Sequence, residues 1–157
     1  MNSKWKTYAF WILLAEAVGG LSGWLTRNEM KLYELTVRKP PLSPPAAVFP
    51  IVWSILYALM GFGAARVSLT PPSRTKSRAF TLFLLQLAVN FVWSLIFFRL
   101  RSYPLAFVWL MLLWALVLWM MLTFRQVDRP AAAAQIPYLL WLTFAACLNF
   151  GVWALNR

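Results

Sequence analysis

Apolar residues dominate the chain in five long runs, with polar segments between them. A bilayer core about 30 Å thick is crossed by roughly 20 residues of α-helix, and each run is long enough for that. The pattern therefore predicts an all-α integral membrane protein whose single domain is a bundle of five transmembrane helices. The predicted helices cover about residues 8–26, 46–67, 79–98, 104–124 and 132–155.

The longest polar segment, residues 27–45, joins the first two predicted helices. In its first half Met30, Tyr33 and Val37 recur at near-helical spacing among charged residues, which predicts a short amphipathic helix. Its second half is rich in proline, which removes backbone donors and favours an extended, stiff chain. We predict that this loop folds as a partial lid over the mouth of the bundle, with a position at the lipid headgroups as the alternative.

Two predicted helices, the third and the fifth, carry stripes of polar and aromatic residues. Gln86, Asn90 and Trp93 follow one another at i, i+4 and i+7 and therefore share one face of the third helix. Amide side chains in hydrocarbon need hydrogen-bond partners, so this face should contact protein or a cavity. Hydrogen bonds between helices and a ligand-lined face are both open interpretations. The stripe of the fifth helix consists of Tyr138, Trp141, Ala145, Leu148 and Asn149.

The first predicted helix contains one carboxylate, Glu16, which shares a face with Gly19, Gly20 and Gly23. Small residues at this spacing allow another helix to approach closely. Because a carboxylate at bilayer depth should avoid lipid, Glu16 is expected either in a tight helix contact or in ligand or proton handling. The fourth predicted helix has no polar residue over 106–122, which favours a lipid-facing or dimer-facing position.

The composition supports a membrane protein and narrows its partners. The 157 residues are 62% hydrophobic and 12% charged, whereas a soluble domain has about 25% charged residues. The net charge of +11 comes from basic residues scattered over the loops, so we expect a lipid bilayer as the partner and no nucleic acid. These residues divide almost evenly between the two sides, so they predict no orientation. The expected location is a bacterial inner membrane, because the chain starts without an organelle-type presequence.

The residue types needed for common catalytic and metal sites are scarce. The chain has no histidine and one cysteine, Cys147, which excludes a histidine-containing triad and a His/Cys metal cluster within one chain. It also has no glycine-rich phosphate loop. We therefore expect no catalytic residues, no metal and no required cofactor.

Three long motifs resemble the translocator protein family, whose members are also called tryptophan-rich sensory proteins. They are KPPLSPP…VFPIVW..LY..MG at residues 39–61, QLAVNFVWSLIFF at 86–98 and PYLLWLTFAACLN at 137–149. The resemblance implies a homodimer with a pocket under the first loop that binds porphyrins, such as protoporphyrin IX, and other hydrophobic small molecules. The pocket residues that it implies are Tyr33, Pro44, Pro45, Trp53, Asn90, Trp93, Trp141, Ala145 and Leu148. The helix patterns add Tyr57 and Gln86.

The expected function is therefore that of a receptor or transport-type protein for tetrapyrroles, acting in tetrapyrrole or stress regulation. A porphyrin-degrading, photo-oxidising enzyme and a regulatory membrane scaffold are the alternatives. Many members of the family have a tryptophan linked to porphyrin breakdown at the position of Leu42. Leucine cannot form an indole radical, so the resemblance does not extend that activity to this chain.

Overall fold

The fold is all-α, as predicted, and five of its helical segments are long and apolar enough to cross a membrane. The computed structural model describes residues 2–157. The helices are α1 (Asn2–Leu25), α2 (Arg27–Thr36), α3 (Val48–Ser68), α4 (Arg74–Ser94), α5 (Tyr103–Val127), α6 (Arg129–Ala133) and α7 (Ile136–Leu155), and a π-helical turn, Leu95–Arg99, extends α4.

Side-chain caps and prolines determine several of the helix ends. Ser73 accepts a hydrogen bond from the Lys76 N–H at 3.0 Å, so α4 begins at its charged flank and not at residue 79, where the apolar run starts. Pro104 and Pro137 lie in the first turns of α5 and α7, where a missing N–H costs least. The predicted helix 132–155 is in fact two helices, α6 and α7.

The long helices pack as neighbours, with α1 against α3, α4 against α5 and α5 against α7. The fourth predicted helix, now α5, has an exposed apolar face that includes Val108, Leu112 and Leu122, which agrees with the predicted lipid-facing or dimer-facing position. Its other face packs between α4 and α7, where Trp109 Nε1 donates to Val89 O at 2.8 Å and Trp114 Nε1 donates to Thr143 Oγ1 at 2.9 Å. Only Trp119 of its three tryptophans is strongly exposed, at 53%.

The helices α1 and α3 approach each other closely at Gly61 of α3 and, among the glycines expected in α1, only at Gly19. A Cβ atom at Gly61 of α3 would meet the backbone of Ile12 on α1, including its N atom at 2.6 Å. By contrast, Gly20 and Gly23 face open space, and Gly19 lies beneath the ring of Tyr57. The glycine of α3 therefore sets the spacing of these two helices.

The helix α7 follows α5 closely, whereas its backbone approaches α3 and α4 at few positions. We use the name central cleft for the region where α3, α4 and α7 face one another. Long side chains from these three helices cross it, and they include most of the residues that the sequence predicts for a pocket.

Candidate functional site

A chain of hydrogen bonds crosses the bottom of the central cleft. The Tyr57 hydroxyl donates to Asn90 Oδ1 at 3.0 Å, and Asn90 Nδ2 donates to the Tyr138 hydroxyl oxygen at 2.7 Å. The Tyr138 hydroxyl in turn donates to Gln86 Oε1 at 2.7 Å. All four side chains are buried, so α3, α4 and α7 are connected by polar groups that satisfy one another.

The sequence left two interpretations open for Gln86 and Asn90, namely hydrogen bonds between helices and a ligand-lined face. The observed contacts support hydrogen bonding between helices for Gln86 and Asn90, because both amides already have partners within the protein. A direct contact of either amide with a ligand stays a prediction.

Three tryptophans, one from each helix, border the same cleft above this polar chain. The ring of Trp53 lies 6.2 Å from that of Tyr138, edge to face, and Trp93 Nε1 donates to Asn149 Oδ1 at 3.3 Å. Trp141 reaches the first turn of α3, where it meets an aromatic ring at 5.8 Å. All three tryptophans are only half-buried. The cleft therefore has a polar, buried floor and an aromatic wall with accessible surface.

The helix α2 is held against the end of α4, as its two anchoring contacts show. Arg99 pairs with Glu29 of α2 at 3.3 Å and also donates to Leu25 O, at the end of α1, at 2.6 Å. Tyr33 packs its ring 5.3 Å from that of Phe97. Burial raises the pKa of the Tyr33 phenol above its usual value, so this group stays protonated at physiological pH.

The segment between α2 and α3, residues 37–47, is fastened to the end of α7. Arg38 N donates to Asn156 Oδ1 at 3.1 Å, and Asn156 Nδ2 donates to Arg38 O at 2.7 Å. Pro40 packs on Gly151, where an added Cβ would lie 2.8 Å from the proline ring. Leu42 is 79% exposed. The segment thus spans the ends of α2 and α7 at one side of the bundle.

The predicted site residues fall into three groups in the structure. The buried floor contains Tyr57, Gln86 and Asn90. The half-buried residues are Tyr33, Pro44, Trp53, Trp93, Trp141, Ala145 and Leu148, and the one exposed residue is Pro45. Across residues 2–157, no three His, Cys, Asp or Glu side chains lie close enough together to hold a metal ion.

Comparison with known proteins decides the family. The model of the TspO/MBR family matches residues 11–154, almost the whole chain. The chain belongs to the TspO/MBR family. This confirms the resemblance read from the three motifs and, together with the five apolar helices, identifies an integral membrane protein.

Relatives within the TspO/MBR family come from bacteria and from animals. The chain is 37% identical to the Tryptophan-rich protein TspO of Chlorobaculum tepidum over 157 residues, which covers 99% of each protein. It is 33% identical to the Translocator protein of Ovis aries, over 100% of this chain and 94% of the relative. It is also 33% identical to the Tryptophan-rich sensory protein of Cereibacter sphaeroides, over 99% of this chain and 95% of the relative.

Two residues of the TspO/MBR chain that organise the site were missing from the predicted list. Tyr138 joins both amides; helical periodicity placed it in the stripe of Trp141, but it was not included among the predicted pocket residues. Asn156 fastens the first loop, but it lies beyond the apolar stripe, where the sequence carries no signal for such a contact.

Proposed function

We propose that this TspO/MBR protein is a membrane receptor that binds porphyrins and related hydrophobic molecules in the central cleft. The observation that carries the proposal is the convergence of three half-buried tryptophans, from three different helices, above one buried polar floor. Ligand sites are typically concave and lined by aromatic side chains with a few placed polar groups. Membership of the family supports a receptor or regulatory role in a membrane.

The aromatic wall suits a flat, apolar macrocycle. Trp53, Trp93 and Trp141 offer ring faces and edges for stacking, while the small side chain of Ala145 leaves room beside Trp141. In this proposal the ligand displaces no hydrogen bond of the floor, because Gln86 and Asn90 act by fixing the positions of the helices.

Basic groups in the first loop can bind the carboxylates of a porphyrin such as protoporphyrin IX. The guanidinium of Arg38 is exposed and makes no ion pair within residues 2–157. A charge-assisted hydrogen bond to a propionate would orient the macrocycle with its polar edge towards the loop. Lys39 is less available, because its Nζ donates to Glu34 O at 2.9 Å and to Val37 O at 3.2 Å.

The segment 37–47 serves in this proposal as the lid of the cleft. It is attached to the end of α7 through Asn156 and Gly151, while Pro45 and Ala46 are hydrogen-bonded to the first turn of α3. Release of the contacts with α7 would therefore let the segment swing away from α7 about its attachment to α3. We further propose that the protein acts as a homodimer in a bacterial inner membrane.

The test is a titration of the purified protein in detergent with protoporphyrin IX, followed by the change in porphyrin absorbance. Trp141→Ala removes one wall of the cleft and is expected to weaken the Kd about tenfold. Trp119→Ala removes an exposed tryptophan of α5 and serves as the matched control, with no change in Kd. Equal Kd values for the two variants would place the porphyrin elsewhere on the protein.

A further inference from the structure

A concave surface lies at the opposite end of the bundle from the first loop. It is a groove of about 300 Å³ between the end of α5, α6 and the start of α7. We call it the α5–α6 groove. Its lining residues are Leu118, Met121, Leu122, Arg125, Arg129, Ala132, Ala133 and Ile136. Two arginines therefore accompany a surface that is otherwise entirely apolar.

The charges of these two arginines are available to a ligand. Arg125 and Arg129 are exposed, and neither makes an ion pair or a side-chain hydrogen bond with the residues that the structure describes. The nearby acid, Asp128, is already engaged, because Arg66 donates to both of its carboxylate oxygens, at 2.6 and 3.2 Å. Asp128 also accepts from the Ala131 N–H at 3.0 Å.

Asp128 is thereby held as the counter-ion of Arg66 and as the cap of α6. The hydrogen bond from Arg66 lowers the pKa of its carboxyl, so the ion pair persists at neutral pH. Arg125 and Arg129, on either side of it in sequence, are left as two uncompensated positive charges.

The groove has basic residues at the level of the lipid headgroups and apolar residues at the level of the acyl chains. α5 is a membrane-spanning helix that ends at Val127, so Arg125 and Arg129 lie where its apolar span meets the headgroup level. Leu118, Met121 and Leu122 precede Arg125 by seven, four and three residues, which places them on the same face, one and two turns deeper. A phospholipid has the same arrangement, because its phosphate would lie at the level of the two arginines and its acyl chains at the level of the apolar residues.

We propose that the α5–α6 groove binds one anionic phospholipid. Its phosphate pairs with Arg125 and Arg129, and its first acyl carbons lie along Leu118, Met121 and Leu122. This site is separate from the central cleft and does not depend on the proposed porphyrin binding.

Native mass spectrometry of the detergent-purified protein with added phosphatidylglycerol or phosphatidylcholine tests the proposal. We expect one phosphatidylglycerol to be retained in preference to phosphatidylcholine. Exchanging both basic groups, Arg125→Gln with Arg129→Gln, should weaken its retention roughly thirtyfold. The control, Arg74→Gln with Arg78→Gln, removes two exposed charges of α4 at the same membrane side and should leave retention unchanged.

A second variant tests the apolar part of the groove. Ala133→Trp fills it while keeping both arginines, and we expect it to lose the lipid as well. Equal losses in the two double variants would mean diffuse attraction to charge and would overturn the proposal, as would equal retention of phosphatidylcholine. A shift from dimer to monomer in the Arg125/Arg129 variant, without loss of lipid, would assign the groove to a protein contact instead.

Discussion

Tyr138 is the residue on which the floor of the central cleft depends most. Its hydroxyl accepts from Asn90 and donates to Gln86, both at 2.7 Å, and it is fully buried. Its removal leaves two buried amides each short of a partner, whereas loss of the Tyr57 hydroxyl affects Asn90 alone. Because buried polar groups without partners are costly, the two tyrosines should differ in their contribution to stability.

We predict that Tyr138→Phe lowers the free energy of unfolding by about 1 to 2 kcal/mol, and that Tyr57→Phe lowers it less. Both substitutions keep the aromatic ring and remove only the hydroxyl. Their free energies of unfolding are measured in mixed micelles with increasing dodecyl sulfate, with circular dichroism as the signal. An effect of Tyr57→Phe as large as that of Tyr138→Phe would show that the hydrogen bonds are not shared as described.

At the level of the helices, Gly61 sets the distance between α1 and α3. Alanine at this position would push its Cβ into the backbone of Ile12, and a backbone cannot move aside as a flexible side chain can. We predict that Gly61→Ala costs roughly 3 kcal/mol of unfolding free energy. The control Gly20→Ala, in open space, should be neutral or slightly stabilising, because alanine favours a helix over glycine. Similar unfolding midpoints for the two variants would contradict the close contact.

The attachment of the first loop to α7 depends on another single residue, Asn156. Its side chain forms two hydrogen bonds with the backbone of Arg38, so we predict that Asn156→Ala increases amide hydrogen exchange in residues 36–43. Asn28→Ala, at an exposed position of α2, is the matched control and should leave exchange there unchanged. If exchange of the loop is the same in both variants, the loop is held by other contacts.

The sequence predicted the long helices well because lipid requires continuous apolar runs, and such runs are visible in one dimension. Its boundaries failed where polar residues extend a helix, as at Arg74, which follows the capping Ser73. The glycines of α1 were predicted correctly only in part, because Gly19 lies against the Tyr57 ring of α3 whereas Gly20 and Gly23 face open space. Small residues permit a close contact, but the shape of the partner helix decides where the two backbones meet, and here they meet at Gly61.

For the whole molecule, the sequence predicted which residues of a helix share a stripe, but not which of them would be buried in the floor and which would form the aromatic wall. Periodicity placed Gln86 and Trp93 on one face, yet the first lies in the buried floor and the second in the half-buried wall. That difference depends on how far α3, α4 and α7 stand apart at each depth, and this follows from the packing of all the helices together. The hydrogen-bonding partner of a buried amide is equally a property of the assembled bundle.

The most direct measurement for the proposed binding in the central cleft is the affinity for protoporphyrin IX of two phenylalanine variants of α7. Ala145→Phe fills the space beside Trp141, while Ala154→Phe adds the same ring at an exposed position near the helix end. With both variants shown to be as helical as the unmodified protein, we expect Ala145→Phe to weaken the Kd at least about tenfold and Ala154→Phe to leave it unchanged. An unaltered Kd for Ala145→Phe would contradict binding of the porphyrin in this cleft.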